Sequence, residues 1–66
     1  MAGNTRQWAK ERLKSAINHM DIAGTYLHEV GEVYKEAHPD VEQVCDVGKS
    51  GLLLSIDMIT ELEKTL

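Results

Sequence analysis

Apolar residues recur through the first half of the chain in alternating steps of four and three: Ala9, Leu13, Ala16, Met20, Ala23, Leu27, Val30, Tyr34 and Ala37. That spacing keeps one side of an α-helix apolar over four heptads and does not fit the two-residue period of a strand. A second series, Val41, Cys45, Gly48, Leu52, Ser55, Ile59, Leu62 and Leu66, follows the same steps after His38-Pro39-Asp40. Proline disfavours a helical residue before it but suits the first turn of a new helix. The pattern predicts helix 1 over about 5–37, a hinge at 38–40, helix 2 over about 40–65, and disorder at 1–3. Asn4 and Gln7 have the spacing of a capping pair, which would place the start of helix 1 at Asn4.

So short a hinge makes the helices antiparallel neighbours. The predicted fold is all-α, a two-helix antiparallel hairpin. Folding the chain at Pro39 sets Ala37 against Val41, Gly31 near Gly48, Leu27 near Gly51 and Leu52, and Leu13 against Leu66. In that register Gly31, Gly48 and Gly51 let the helices approach closely, and residues 4–12 extend past the end of helix 2.

Apolar residues also stand off the seam. Helix 1 adds Trp8, Ile17, Ile22, Tyr26 and Val33, and helix 2 adds Val44, Val47, Leu53, Leu54, Ile56 and Met58. A helix with more than one apolar stripe buries more than one side. Burying a large aliphatic side chain contributes roughly 1.5–3 kcal/mol, whereas ordering each residue costs about 1.5 kcal/mol. One shared seam is a weak basis for a stable fold. The expectation is a homo-oligomeric four-helix bundle, a homodimer or a higher even oligomer.

Composition narrows the chemistry. Sixty-six residues make one small domain, and a single cysteine, Cys45, cannot form an internal disulfide. The net charge of −4 is unevenly spread. Residues 1–20 carry Arg6, Lys10, Arg12 and Lys14 against Glu11, while residues 21–66 carry ten acids against Lys35, Lys49 and Lys64. No apolar run approaches the roughly 18 residues of a membrane span, and no secretory signal is evident, so a cytoplasmic location is expected.

Gly48-Lys49-Ser50 resembles the end of a phosphate-binding loop, but position 43, where that motif needs glycine, is Gln43, and the segment lies within a helical pattern. Asp21, His28, Glu29, Glu32 and Glu36 contain no Glu-x-x-His motif of the kind that builds di-iron sites in bundles. They read as a solvated acidic face, and no metal or other cofactor is expected. Cys45 lies on the seam, where a free cysteine behaves as a small hydrophobe, and no base accompanies it. Small sporulation-type aspartyl-phosphate phosphatases are also two-helix hairpins, with Ser-Gln-x-Leu-Asp in the second helix. Here Ser55-Ile56-Asp57-Met58-Ile59 has isoleucine where that family has Gln and Asp, so no phosphatase activity carries over.

The strongest candidate surface is the basic arm. Arg6, Lys10 and Lys14 recur every four residues, with Arg12 and the only tryptophan, Trp8, beside them. Guanidinium groups, an aromatic face and a helix N-terminus suit an acidic protein surface or an anionic small molecule such as a nucleotide. Nucleic acid fits less well, because the acidic body would repel a phosphate backbone. The sequence therefore points away from catalysis. It suggests a small self-associating protein that binds and modulates a partner protein, as accessory or regulatory factors do, including those of phage origin. The alternative is an oligomer that captures an anionic ligand between subunits.

Overall fold

The computed structural model describes residues 2–66. Two helices, α1 (Ala2–Tyr34) and α2 (Pro39–Thr65), pack against each other as an all-helical hairpin. It is long and thin, with principal extents of 54, 15 and 11 Å.

The helix limits differ from those expected. Within the 1–3 stretch expected to be disordered, Met1 lies outside the described residues, and the backbone is already helical at Ala2 and Gly3. Asn4 is therefore inside the helix and is not its cap. The amide of Gln7 donates forward to Glu11 Oε1 at 3.2 Å instead of reaching back.

At the other end α1 stops at Tyr34, three residues before Ala37. The cause is Pro39. Its ring pushes His38 out of the helical region, to φ −140° and ψ 76°. Residues 35–37 then form a turn, closed by the His38 N–H donating to Tyr34 O at 2.7 Å. The Tyr34 and His38 rings lie 5.7 Å apart over it.

Pro39 opens α2, where its missing N–H costs nothing. His38 O accepts from the N–H groups of Val41 at 3.0 Å and Glu42 at 3.4 Å. Asp40 and Glu42 place negative charge at the positive end of the helix dipole. Lys64 complements the other end, where the Leu66 N–H donates to Glu63 O at 3.2 Å.

Because Pro39 begins a helix and does not sit at the apex of the turn, the register is also displaced. Gly31 lies against Cys45 and Glu42, Leu27 against Gly48, and Gly24 against Leu52. The closest contacts thus fall three to four positions earlier in α2 than folding at Pro39 implies. Continuing the same register puts Leu66 opposite Lys10, so α1 runs past α2 over about residues 2–9, where 4–12 was expected.

A Cβ at Gly31 would lie 3.5 Å from Cys45 Cβ, and one at Gly48 would lie 3.1 Å from Leu27 Cδ1. These two glycines sit where the helices are close. Gly51 does not: a Cβ there would have nothing within 4 Å, which corrects its expected place on the seam. The shifted register brings Gly48, not Gly51, opposite Leu27.

Gly24 has room as well, with Leu52 Cδ1 4.0 Å from a Cβ position. Gly24→Ala is expected to stabilise the protein by about 0.5–1 kcal/mol, because alanine restricts the unfolded chain and keeps the helix. Urea unfolding of the two proteins measures this directly.

Burial along the seam is shallow. Cys45, 6% exposed, is the single buried apolar side chain among the described residues. Leu13, Met20, Leu27, Leu52 and Ile59 are only half-buried.

Candidate functional site

The expected basic arm divides into parts. The Arg12 guanidinium lies over the Trp8 ring, 5.5 Å from its centroid, one helical turn away on the same side of α1. Lys14 turns toward α2, its Nζ 3.9 Å from Glu63 Oε1. Lys10 is half-buried near the end of α2, and Arg6 is exposed. The structure brings Trp8 and Arg12 together but does not gather Arg6, Lys10, Arg12 and Lys14 into one cationic patch.

Lys49 also differs from a lysine pointing freely outward. Its ammonium lies 3.2 Å from Asp46 Oδ1 and 3.3 Å from His28 Nδ1, bridging the two helices. Lys49 and His28, with Met20, Asp21, Gly24, Thr25 and Leu52, line an open cleft of about 310 Å³ on one flank of the hairpin. Its one lysine is already paired with a carboxylate, and Asp21 adds another acid. The cleft is poorly suited to an anion.

The other flank was not legible as a unit. With the seam fixed by the glycine contacts, helical periodicity places the remaining side chains. On α1, Trp8, Tyr26 and Val33 fall somewhat more than a third of a turn from the seam and Ile22 nearly half a turn, with Val30 between them and the seam. On α2, Val44, Val47, Leu54 and Met58 are rotated by a similar angle in the same sense, with Leu62 nearer the seam. All of these are exposed, Val33 and Val44 by 75% and 72%.

In antiparallel helices, rotations of the same sense lead to the same side of the pair. The two stripes therefore form one apolar face, opposite the cleft. Of the other off-seam residues, Ile17 and Ile56 are half-buried and rotate toward the cleft, and Leu53 lines it.

Each histidine is engaged away from Cys45. His19 Nδ1 is 2.7 Å from Ser15 O, His28 meets Lys49, and His38 packs on Tyr34. Among the described residues no three His, Cys, Asp or Glu side chains converge to hold a metal ion, so Asp21, His28, Glu29, Glu32 and Glu36 remain separate surface groups. Gly48-Lys49-Ser50 is helical throughout. No described helix is long and apolar enough to cross a membrane. Comparison with protein-family models, curated proteins and solved structures finds no match to this chain.

Proposed function

We propose that this chain acts by association and not by catalysis: a small cytoplasmic helical protein that self-associates into a bundle and binds and modulates a partner protein. One observation carries this reading. Among the described residues the hairpin buries a single apolar side chain, while a whole flank of large apolar residues faces solvent. A fold this small needs support from a metal, disulfides or association. One cysteine and no converging ligands among the described residues leave association.

Exposed area agrees in size. The chain exposes 5113 Å², whereas a compact monomer of its mass exposes about 4,200 Å². The excess, roughly 900 Å², is close to the ~800 Å² that each partner contributes to a stable interface. Solution mass by sedimentation equilibrium tests self-association, and a stable, folded monomer at micromolar concentration overturns it.

The surface offered to a different protein is the arm that carries Trp8 and Arg6. Trp8 is 57% exposed and held by Arg12, and tryptophan and arginine are the residues most often found to dominate interfaces. Trp8→Ala is expected to abolish co-purification of the partner while the oligomer mass stays unchanged. Unchanged recovery in both Trp8→Ala and Arg6→Glu rules the arm out as the contact.

The competing reading, capture of an anionic ligand such as a nucleotide, has less support, because Lys14 and Lys49 face Glu63 and Asp46. A ligand that binds the folded state raises its melting temperature. No shift with nucleotides is expected.

A further inference from the structure

We infer that the apolar flank is covered by a second copy of this chain lying antiparallel, so that the open end of each hairpin rests on the hinge end of the other. The inference rests on the self-association proposed above and adds the face and the direction.

Charge sets the direction. Residues 21–55, the half next to the hinge, carry seven acids against Lys35 and Lys49. The open half, residues 1–20 and 56–66, carries Glu11, Asp57, Glu61 and Glu63 against Arg6, Lys10, Arg12, Lys14 and Lys64. A parallel pair would stack two acidic halves. An antiparallel pair sets each acidic half against a weakly basic one, and like-charge juxtaposition is what interfaces avoid.

The same polarity runs along the apolar stripes themselves. On α1 the polar members near the open end are Arg12, Ser15 and His19 and toward the hinge Glu29 follows, with Glu36 in the turn beyond α1.

Spacing then sets the centre. Placing the two-fold axis level with Gly24 sets Ile22 beside Tyr26 of the second copy and Arg12 beside its Glu36. At the same level on α2, Val47 meets Met58 of the second copy and Gly51 meets its Leu54. One axis position serves both helices, because the register within the hairpin sets Gly24 opposite Leu52. Gly51, with nothing near it inside the hairpin, acquires a reason to be small: it lies by the axis, where another helix crosses. Trp8 falls at the margin, beyond the hinge of the second copy. Both arms stay available to a different protein.

The test uses full-length protein with Cys45→Ala and one new thiol, treated with a short bifunctional maleimide. Gly51→Cys is expected to cross-link to itself, and Lys35→Cys, at the hinge end, is not. Cross-linking at position 35 means a parallel pair and overturns the proposal. A dimeric mass with no cross-link at position 51 overturns this arrangement but leaves self-association standing. A folded monomer overturns both. Arg12→Glu is expected to weaken the dimer about tenfold at low salt through two symmetry-related contacts, and adding Glu36→Arg to restore it. No rescue by the double change counts against the antiparallel direction.

Discussion

Leu54→Glu is expected to dissociate the protein and, at micromolar concentration, to abolish most of its helical signal. Viewed within one hairpin the change looks harmless. Leu54 is 63% exposed and carries no hydrogen bond or ion pair among the described residues. Substitutions at such positions usually fall within about 0.5 kcal/mol of neutral.

If the apolar flank is covered by a second copy, the consequence differs in kind. Leu54 lies near the two-fold axis, so two new carboxylates approach each other inside an apolar layer. Leaving a buried charge unpaired costs about 3–5 kcal/mol, and total stabilities of small domains are only about 5–15 kcal/mol. Among its described residues the released hairpin retains one buried apolar side chain, Cys45, and has little to hold it together. Dissociation and unfolding should therefore coincide.

Circular dichroism across a concentration series reads both at once. The wild type should melt at higher temperature as concentration rises, as expected when folding is linked to assembly, and Leu54→Glu should lose helicity at concentrations where the wild type is folded. A Leu54→Glu protein as helical and as stable as the wild type would mean that this flank is open to solvent.

The elements themselves could be read directly from the chain. Heptad spacing sustained from Ala9 to Tyr34 and again from Val41 to Leu66 leaves little alternative to two helices, and one proline marks the break. Details within one turn of that break were less accessible. A fold at Pro39 itself would put the ring at the apex, but a proline is better accommodated as the first residue of a helix, so the turn forms before it. That displacement moves every contact across the seam, and it explains why Gly48 lies against Leu27 while Gly51 stands clear.

The basic arm was visible as composition, but its division was not. Lys14 turns to Glu63 because both lie where the two helices run side by side, a fact that depends on the register. The apolar flank escaped for a related reason. Off-seam spacing alone gives no sense of rotation, and Ile17, Leu53 and Ile56 lie toward the opposite side from Tyr26 and Met58.

Gly48→Leu should be the most damaging single change on the seam. A Cβ at Gly48 would already lie 3.1 Å from Leu27 Cδ1, a contact that requires Leu27 to move by a few tenths of an ångström. Alanine asks only that, and the tip of a leucine side chain can rotate. Gly48→Ala should stay within about 1 kcal/mol of the wild type, since the helix preference of alanine offsets the crowding. Leucine adds three further carbons directed at α1. Overpacking usually costs about 1–3 kcal/mol, and here the helices must separate along a seam whose other apolar residues are mostly half-buried.

The expected loss is about 3 kcal/mol or more, seen as a lower urea midpoint. Lys49→Ala, one residue away, removes only partly exposed contacts to Asp46 and His28 and should cost no more than about 1 kcal/mol. The decisive comparison is the double change. If the harm comes from the clash with Leu27, combining Gly48→Leu with Leu27→Ala exchanges large for small across the same contact and should recover most of the lost stability. If the double variant is instead worse than Gly48→Leu by the full cost of Leu27→Ala, the two side chains act independently, and the close approach of α1 and α2 at this level is wrong.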